Sequence, residues 1–301
     1  MDFSFNPFLA FGWSVLTGFM ASMGAGGGGI LAGIGHISVL GVGDPNTVKV
    51  LNQTLEFTSR VVSVPLYHRH RRLVGSVALT FGIGAPIGAG LGSWVSKHFM
   101  ANMVLYRPAF GGLIVLVGCR VLYEAWARRA QAHAALQKAA QASMRATRNL
   151  RLVLPGARVR DAARSSVLSW RTIRVRFGGE DFDYSPLSAA AGGFAVSFIG
   201  AVFGVGGGFL AGPFMASVLL LPMYLVVGTS LLALLVPLAV SVATYLLLDV
   251  PLNGWLLAVE IPGVVVGSLL GPPANRHMNE KALKTFVAVV LLGIGLFYLV
   301  H

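Results

Sequence analysis

A run of four glycines inside otherwise apolar sequence restricts this chain more than any other feature. Gly24-Ala25-Gly26-Gly27-Gly28-Gly29 leads into Ile30-Leu31-Ala32-Gly33, and Gly204-Val205-Gly206-Gly207-Gly208 leads into Phe209-Leu210-Ala211-Gly212. In water such a string is a flexible linker. In hydrocarbon, irregular backbone survives only when it is packed in protein or lines a wet cavity. Each glycine costs a helix interior roughly 1 kcal/mol against alanine, so each run predicts a broken helix or re-entrant hairpin. Free amide groups at a helix start suit an anion. Paired interruptions in corresponding positions of two halves are also the best sequence pointer to a transporter's binding site.

The membrane setting rests on composition. The 301 residues are 55% hydrophobic and 11% charged, with mean hydropathy +0.73, whereas a soluble domain carries about a quarter charged residues. The formal charge of +12 does not point to nucleic acid, because twelve of the 23 Lys and Arg lie between Trp126 and Tyr184. That clustering reads as positive-inside topology, with the segment cytoplasmic and facing anionic headgroups. The lone Cys119 permits neither an internal disulfide nor a cysteine metal site. Met1 to Pro7 lacks the basic start of a cleavable leader, so the first apolar segment is expected to remain.

Apolar segments fall at 7–23, 30–42, 46–66, 73–95, 103–126, 186–203, 209–221, 223–248, 254–271 and 281–300. A span needs about 20 residues, so the two segments after the glycine runs read as half-helices. They lack the period-two alternation of a barrel. The chain therefore reads as an all-α integral membrane protein. Gly88-Ala-Gly-Leu-Gly92 aligns with Gly267-Ser-Leu-Leu-Gly271, and Asn52-Gln53-Thr54 falls opposite Gly228-Thr229-Ser230. Two homologous repeats follow, 1–126 and 185–301, around a basic insert at 127–184. Five helical segments per half and the distribution of Lys and Arg favour an inverted second copy. Within the insert, Ala127–Leu150 reads as a prolonged helix. Thr172–Phe177 and Asp181–Tyr184 alternate about Gly178-Gly179 and predict a β-hairpin, with Ile173, Val175 and Phe177 on one face.

Polar residues inside apolar spans must be satisfied or functional. The densest set is Lys49, Asn52, Gln53, Thr54, Glu56 and Arg60. Lys49, Asn52, Glu56 and Arg60 share one helical face, and Glu56 and Arg60 are spaced to pair. One reading is an internal ion pair that locks helices together. The other is that Lys49 or Arg60 faces an anion while amides and hydroxyls take its remaining oxygens. Thr229 and Ser230 occupy the matching helix, though hydroxyls there often bond the preceding turn. Glu56, Glu260 and His36 are the candidates for carrying a proton. Glu260 otherwise reads as an acid reaching water or an arginine, and His36 as a buried neutral ring. Neither glycine run continues as a P-loop or sits in a dinucleotide unit, and no His-Glu-x-x-His occurs. No enzyme chemistry, cofactor or metal is expected.

At Phe203–Pro213, at Val227–Ser230, and at their degenerate copies Gly24–Gly33 and Asn52–Thr54, the chain resembles the sulfite exporter TauE/SafE family. The resemblance covers both apolar halves. It implies a multi-pass inner-membrane carrier for a small organosulfur anion such as sulfite or an organosulfonate. Two departures stand out: Asn-Gln-Thr replaces Gly-Thr-Ser in the first half, and the insert is long. The expected binding set is Gly26, Gly27, Gly28, Lys49, Asn52, Gln53, Thr54, Arg60, Gly206, Gly207, Gly208, Thr229 and Ser230. An anion channel, or a membrane scaffold acting through the basic insert, is the alternative, and a homo-oligomer stays open.

Overall fold

A computed structural model describes residues 5–23, 27–127, 163–169, 171–177, 180–274 and 280–300. The first half contributes α1 (Pro7–Ser22), α2 (Gly28–Ile34) with a π-turn at Gly35–Val39, α3 (Pro45–Arg69), α4 (Gly75–Phe99) and α5 (Met103–Ala127). The second contributes α6 (Pro186–Phe203), α7 (Gly208–Ser217), α8 (Met223–Ala233), α9 (Leu235–Leu247), α10 (Gly254–Ala274) and α11 (Glu280–Val300). Among the described residues, five helices are long and apolar enough to cross a membrane: α4, α5, α6, the α8–α9 pair and α10.

Both elements that follow a glycine run are short, as a half-helix should be. The stretch 223–248, read above as one segment, is two helices meeting at Leu234. Pro237 supplies the reason, since it has no N–H to continue the ladder onto the carbonyl four residues earlier. The expected helical prolongation through 150 and the glycines at 24 and 26 lie outside the described residues.

Small residues set how the helices pack, because they let backbones approach closely in a bilayer. Gly18 lies against Val264, Gly267 against Val15 and Gly271 against Ser22, so α1 and α10 run parallel. Gly84, Gly88 and Gly92 lie against Ala190, Phe194 and Phe198, so α4 and α6 also run parallel. Gly111 and Gly118 meet Tyr298 and Leu292, which makes α5 and α11 antiparallel. Ser268 bonds Ser59 at 2.8 Å, placing α10 alongside α3. On the other flank of α3, Val50 packs with Tyr245 of α9. Each half thus packs its first helix on the other half's fourth segment, counting α8 and α9 as one, with α3 and α9 side by side at the centre.

The predicted hairpin is present with one strand more. β1 (Arg164–Ser169), β2 (Thr172–Phe177) and β3 (Glu180–Tyr184) form an antiparallel sheet in that order. β1 escaped notice because Arg-Ser-Ser-Val-Leu-Ser has little of the β-branched or aromatic content that marks a strand. Ile173, Val175, Phe177, Phe182 and Tyr184 are buried against Val74, Val77 and Phe81 of the α4 region and Tyr224 and Leu225 of α8. Phe177 stacks on Tyr224 with ring centroids 5.6 Å apart. On the outer face Arg174 clamps Asp183 (2.7 and 2.8 Å) and Arg176 clamps Asp181 (2.6 and 3.0 Å). Hydrogen bonds from Arg176 and Arg174 hold the carboxyls of Asp181 and Asp183, respectively, below the usual carboxylate range.

Candidate functional site

The site is built on α3. Asp44 caps its start by accepting from the Thr47 amide at 2.8 Å, and Pro45 occupies the first turn. Its 25 residues reach about 37 Å at 1.5 Å per residue, enough to span. Yet Lys49, Asn52, Gln53, Glu56, Ser59, Arg60 and Ser63 are all buried on it. So polar a helix is tolerated at membrane depth only when protein encloses it, and the two glycine breaks are part of that enclosure.

The breaks touch each other, with Gly29 lying directly against the backbone of Val205. Both also press on Glu56 of α3, and the second reaches Arg60 as well. A Cβ at Gly28 would meet Glu56 Oε1 at 2.6 Å, and one at Gly206 would meet Glu56 Oε2 at 3.2 Å. A Cβ at Gly208 would meet Arg60 Nη2 at 2.9 Å. Gly204, Gly206 and Gly207 have φ of 68°, 66° and 69°, the left-handed region that glycine enters without a Cβ penalty. Gly207 closes the loop as the N-cap of α7, and no side chain caps that helix.

Arg60 donates through Nη1 to the Glu56 backbone carbonyl at 3.0 Å and to the Glu56 carboxylate. Its Nε is buried without a partner, although the residue is only 2% exposed. A cavity of about 10 Å³ beside the pair is lined by Ala21, Gly28, Gly208, Ser230, Leu231 and Leu234. That holds about one water. The ion pair anticipated from the sequence is therefore present, and it lies where both breaks converge.

The other sequence candidates divide. Ser230 lines the cavity and donates to the Val227 carbonyl at 3.0 Å. Thr229 faces elsewhere, its hydroxyl accepting from the Val74 amide at 3.0 Å and so tying α8 to the start of α4. Lys49 donates to the Met100 carbonyl (2.7 Å) and to Asn46 Oδ1 (3.2 Å), with its ammonium 4.6 Å from the Tyr106 ring centroid. Thr54 donates to the Val50 carbonyl of its own helix at 2.8 Å. Gln53 reaches the Ala201 carbonyl at 3.5 Å, and its Oε1 is buried without a partner. Gly27 is the N-cap of α2, and Gly26 lies outside the described residues.

Sequence reasoning did not bring His36 and Glu260 together. Glu260 is 1% exposed and neither reaches water nor pairs with an arginine. Its oxygens lie 3.0 and 3.1 Å from His36 Nε2, while His36 Nδ1 is 2.5 Å from Asn52 Oδ1. The pair joins α10 of the second half to the π-turn of the first. A wide vestibule was also missed. It measures about 1020 Å³ and is lined by Val42, Asp44, Leu51, Asn102, Asn253 and Leu256 among others. A cue existed in the sequence: Asn102 and Asn253 each precede an apolar span and cap it, accepting from Val104 (2.9 Å) and Leu256 (3.0 Å).

Comparison with known proteins agrees with this architecture. The family model "Sulfite exporter TauE/SafE" matches residues 10–298. The chain is 27% identical over 233 residues to the Bacillus subtilis (strain 168) protein described as "Probable membrane transporter protein YunE", covering 76% of this chain and 71% of that one. No solved structure matches the chain. With both glycine breaks, α3 and all the spans inside the matched region, this chain belongs to the sulfite exporter TauE/SafE family of membrane transporters.

Proposed function

We propose that the protein is a secondary transporter of a small organosulfur anion, sulfite or an organosulfonate, bound where the two glycine breaks cross at Arg60. The observation that carries this reading is the convergence of Gly28, Gly206, Gly208 and Ser230 on the Glu56–Arg60 pair. Arg60 supplies a fixed cation with one buried donor unengaged, and the uncapped start of α7 adds positive dipole next to it. The cavity there is about 10 Å³ while the vestibule at the other end of α3 is about 1020 Å³. A wide mouth above a closed centre supports a carrier over an open channel.

The reciprocal parallel pairing of α1 with α10 and of α4 with α6, with α1 and α3 ending together where the Tyr67 hydroxyl donates to the Ser22 carbonyl and α4 turning back, supports inverted repeats at 1–126 and 185–301. The Arg69–Arg72 turn and the sheet then lie on the cytoplasmic face of the inner membrane, the basic insert near anionic headgroups, and the vestibule opens outward. The test is uptake by proteoliposomes of sulfite, thiosulfate, sulfate and simple sulfonates. Saturable uptake with counterflow of an organosulfur anion is expected, reduced at least tenfold in Ser230→Val, a loss of about 1.4 kcal/mol of binding. Large single-channel currents would indicate a channel, and absence of flux for every anion would overturn the substrate class.

A further inference from the structure

His36 sits on the π-turn of α2, a geometry that recurs at functional sites because it re-aims a side chain out of the regular helical pattern. Trp13 of α1 packs across Gly35 and donates to the Leu31 carbonyl at 2.8 Å, which fixes the turn in place. Both ring nitrogens of His36 then face oxygen, Nδ1 toward Asn52 on α3 and Nε2 toward the carboxylate of Glu260 on α10. All three residues are buried. A lone carboxylate or imidazolium in this setting is costly, and a pair sharing a hydrogen-bonded proton costs less.

The position of the triad matters as much as its chemistry. Leu51, next to Asn52, and Leu256, one turn before Glu260, line the vestibule, and the amide of Val42 on its wall bonds the His36 carbonyl at 2.8 Å. On the far side, Asn52 is two turns from Arg60, about 12 Å along α3. The triad thus lies between the vestibule and the crossing of the glycine breaks. Facing it are Asn52 from α3, Glu260 from α10 and the uncharged Trp13 from α1. Tyr298 of α11 hydrogen-bonds Ser38 on the same turn. Glu56, one turn further along α3, is engaged by Arg60.

We propose that His36 and Glu260, linked to α3 through Asn52, bind the exchangeable proton that couples anion movement. This rests on the transport reading above. With the proton bound, the pair is neutral overall, as imidazolium with carboxylate or imidazole with carboxylic acid. With the proton released, it carries one negative charge beside the anion's route. Anion occupancy and proton occupancy therefore favour each other, by the same factor in each direction, and the two move the same way across the membrane.

Two measurements decide it. In purified protein labelled with ¹⁵N-histidine, the His36 ring signals, assigned by their loss in His36→Gln, should titrate with one proton within the pH range over which the protein stays folded. Glu260→Gln should displace that titration. Ring signals that stay constant across this range, or that titrate identically in Glu260→Gln, overturn the proposal without any substrate being needed. In proteoliposomes holding a lumenal pH dye, methanesulfonate serves as probe because its charge does not change with pH. Wild-type uptake should acidify the lumen. His36→Gln and Glu260→Gln should lose the acidification while retaining methanesulfonate counterflow. Acidification that survives in both variants overturns the proposal. Absence of methanesulfonate flux in the wild type counts against the substrate class, and the titration then decides the proton site by itself.

Discussion

The two glycine breaks come from nearly the same string, yet they differ in what they bring to the centre. The second holds three glycines at positive φ and wraps Gly204 onto the backbone of Lys49. At the first, Gly27 has an ordinary right-handed conformation, and α2 lies with its glycines flat on Glu56 and Asn52. Polar chemistry is divided just as unequally. The first half supplies Lys49, Asn52, Gln53, Glu56 and Arg60 on α3, whereas α8 supplies Ser230, its Thr229 being turned to the Val74 amide. Glu260 is the one acid that the second half buries among the described residues, and its partner belongs to the first. The two breaks therefore form the crossing together, and side chains drawn mostly from α3 fill it. The second break acts as a mould pressed around α3, while the first half provides the groups that are moulded.

This contrast can be broken most severely at Gly204. An alanine there must hold φ of 68° with its Cβ within 2.6 Å of the Lys49 Cα, so Gly204→Ala should destabilise by about 3 kcal/mol or more. Loss of the monodisperse peak on size-exclusion is the readout, and a wild-type melting profile would show that the mould is dispensable. Next in size is the ion pair. Arg60→Met strands the Glu56 carboxylate and should cost about 3–5 kcal/mol. Adding Glu56→Met removes the stranded charge and should restore most of the thermal stability without restoring flux. A double variant that transports at the wild-type rate would reduce the pair to a structural tie. The smallest effect belongs to the outer face of the sheet. Asp181 and Asp183 are held below their ordinary range, so their contribution is complete above that range and fades as pH falls through the lowered values. Asp181→Asn with Asp183→Asn should lower Tm at neutral pH by about one or two degrees. The gap from wild type should close in acid.

Most of the architecture was legible from the amino-acid string because a bilayer leaves few choices. Apolar length set the spans, and glycine runs marked the interruptions. The Glu56–Arg60 pairing followed from a four-residue spacing on one helix. The contacts that escaped are those that local periodicity cannot encode. His36 and Glu260 are 224 positions apart, and no spacing rule joins them. The π-turn that aims His36 has no sequence signature comparable to a proline. The split at Leu234 was within reach, since Pro237 was in plain view inside a long apolar run. Thr229 was placed on the right helix but faces the Val74 amide, because a helical face cannot be assigned to a neighbour before the neighbour is known.

The sheet of the insert bridges α4, which comes before it in the chain, and α8, which comes after. With α1 seated on α10 and α4 on α6, each of these pairs joins a helix from before the insert to one from after it. Cutting the chain within the insert would therefore yield two pieces that each carry greasy stripes with no mate.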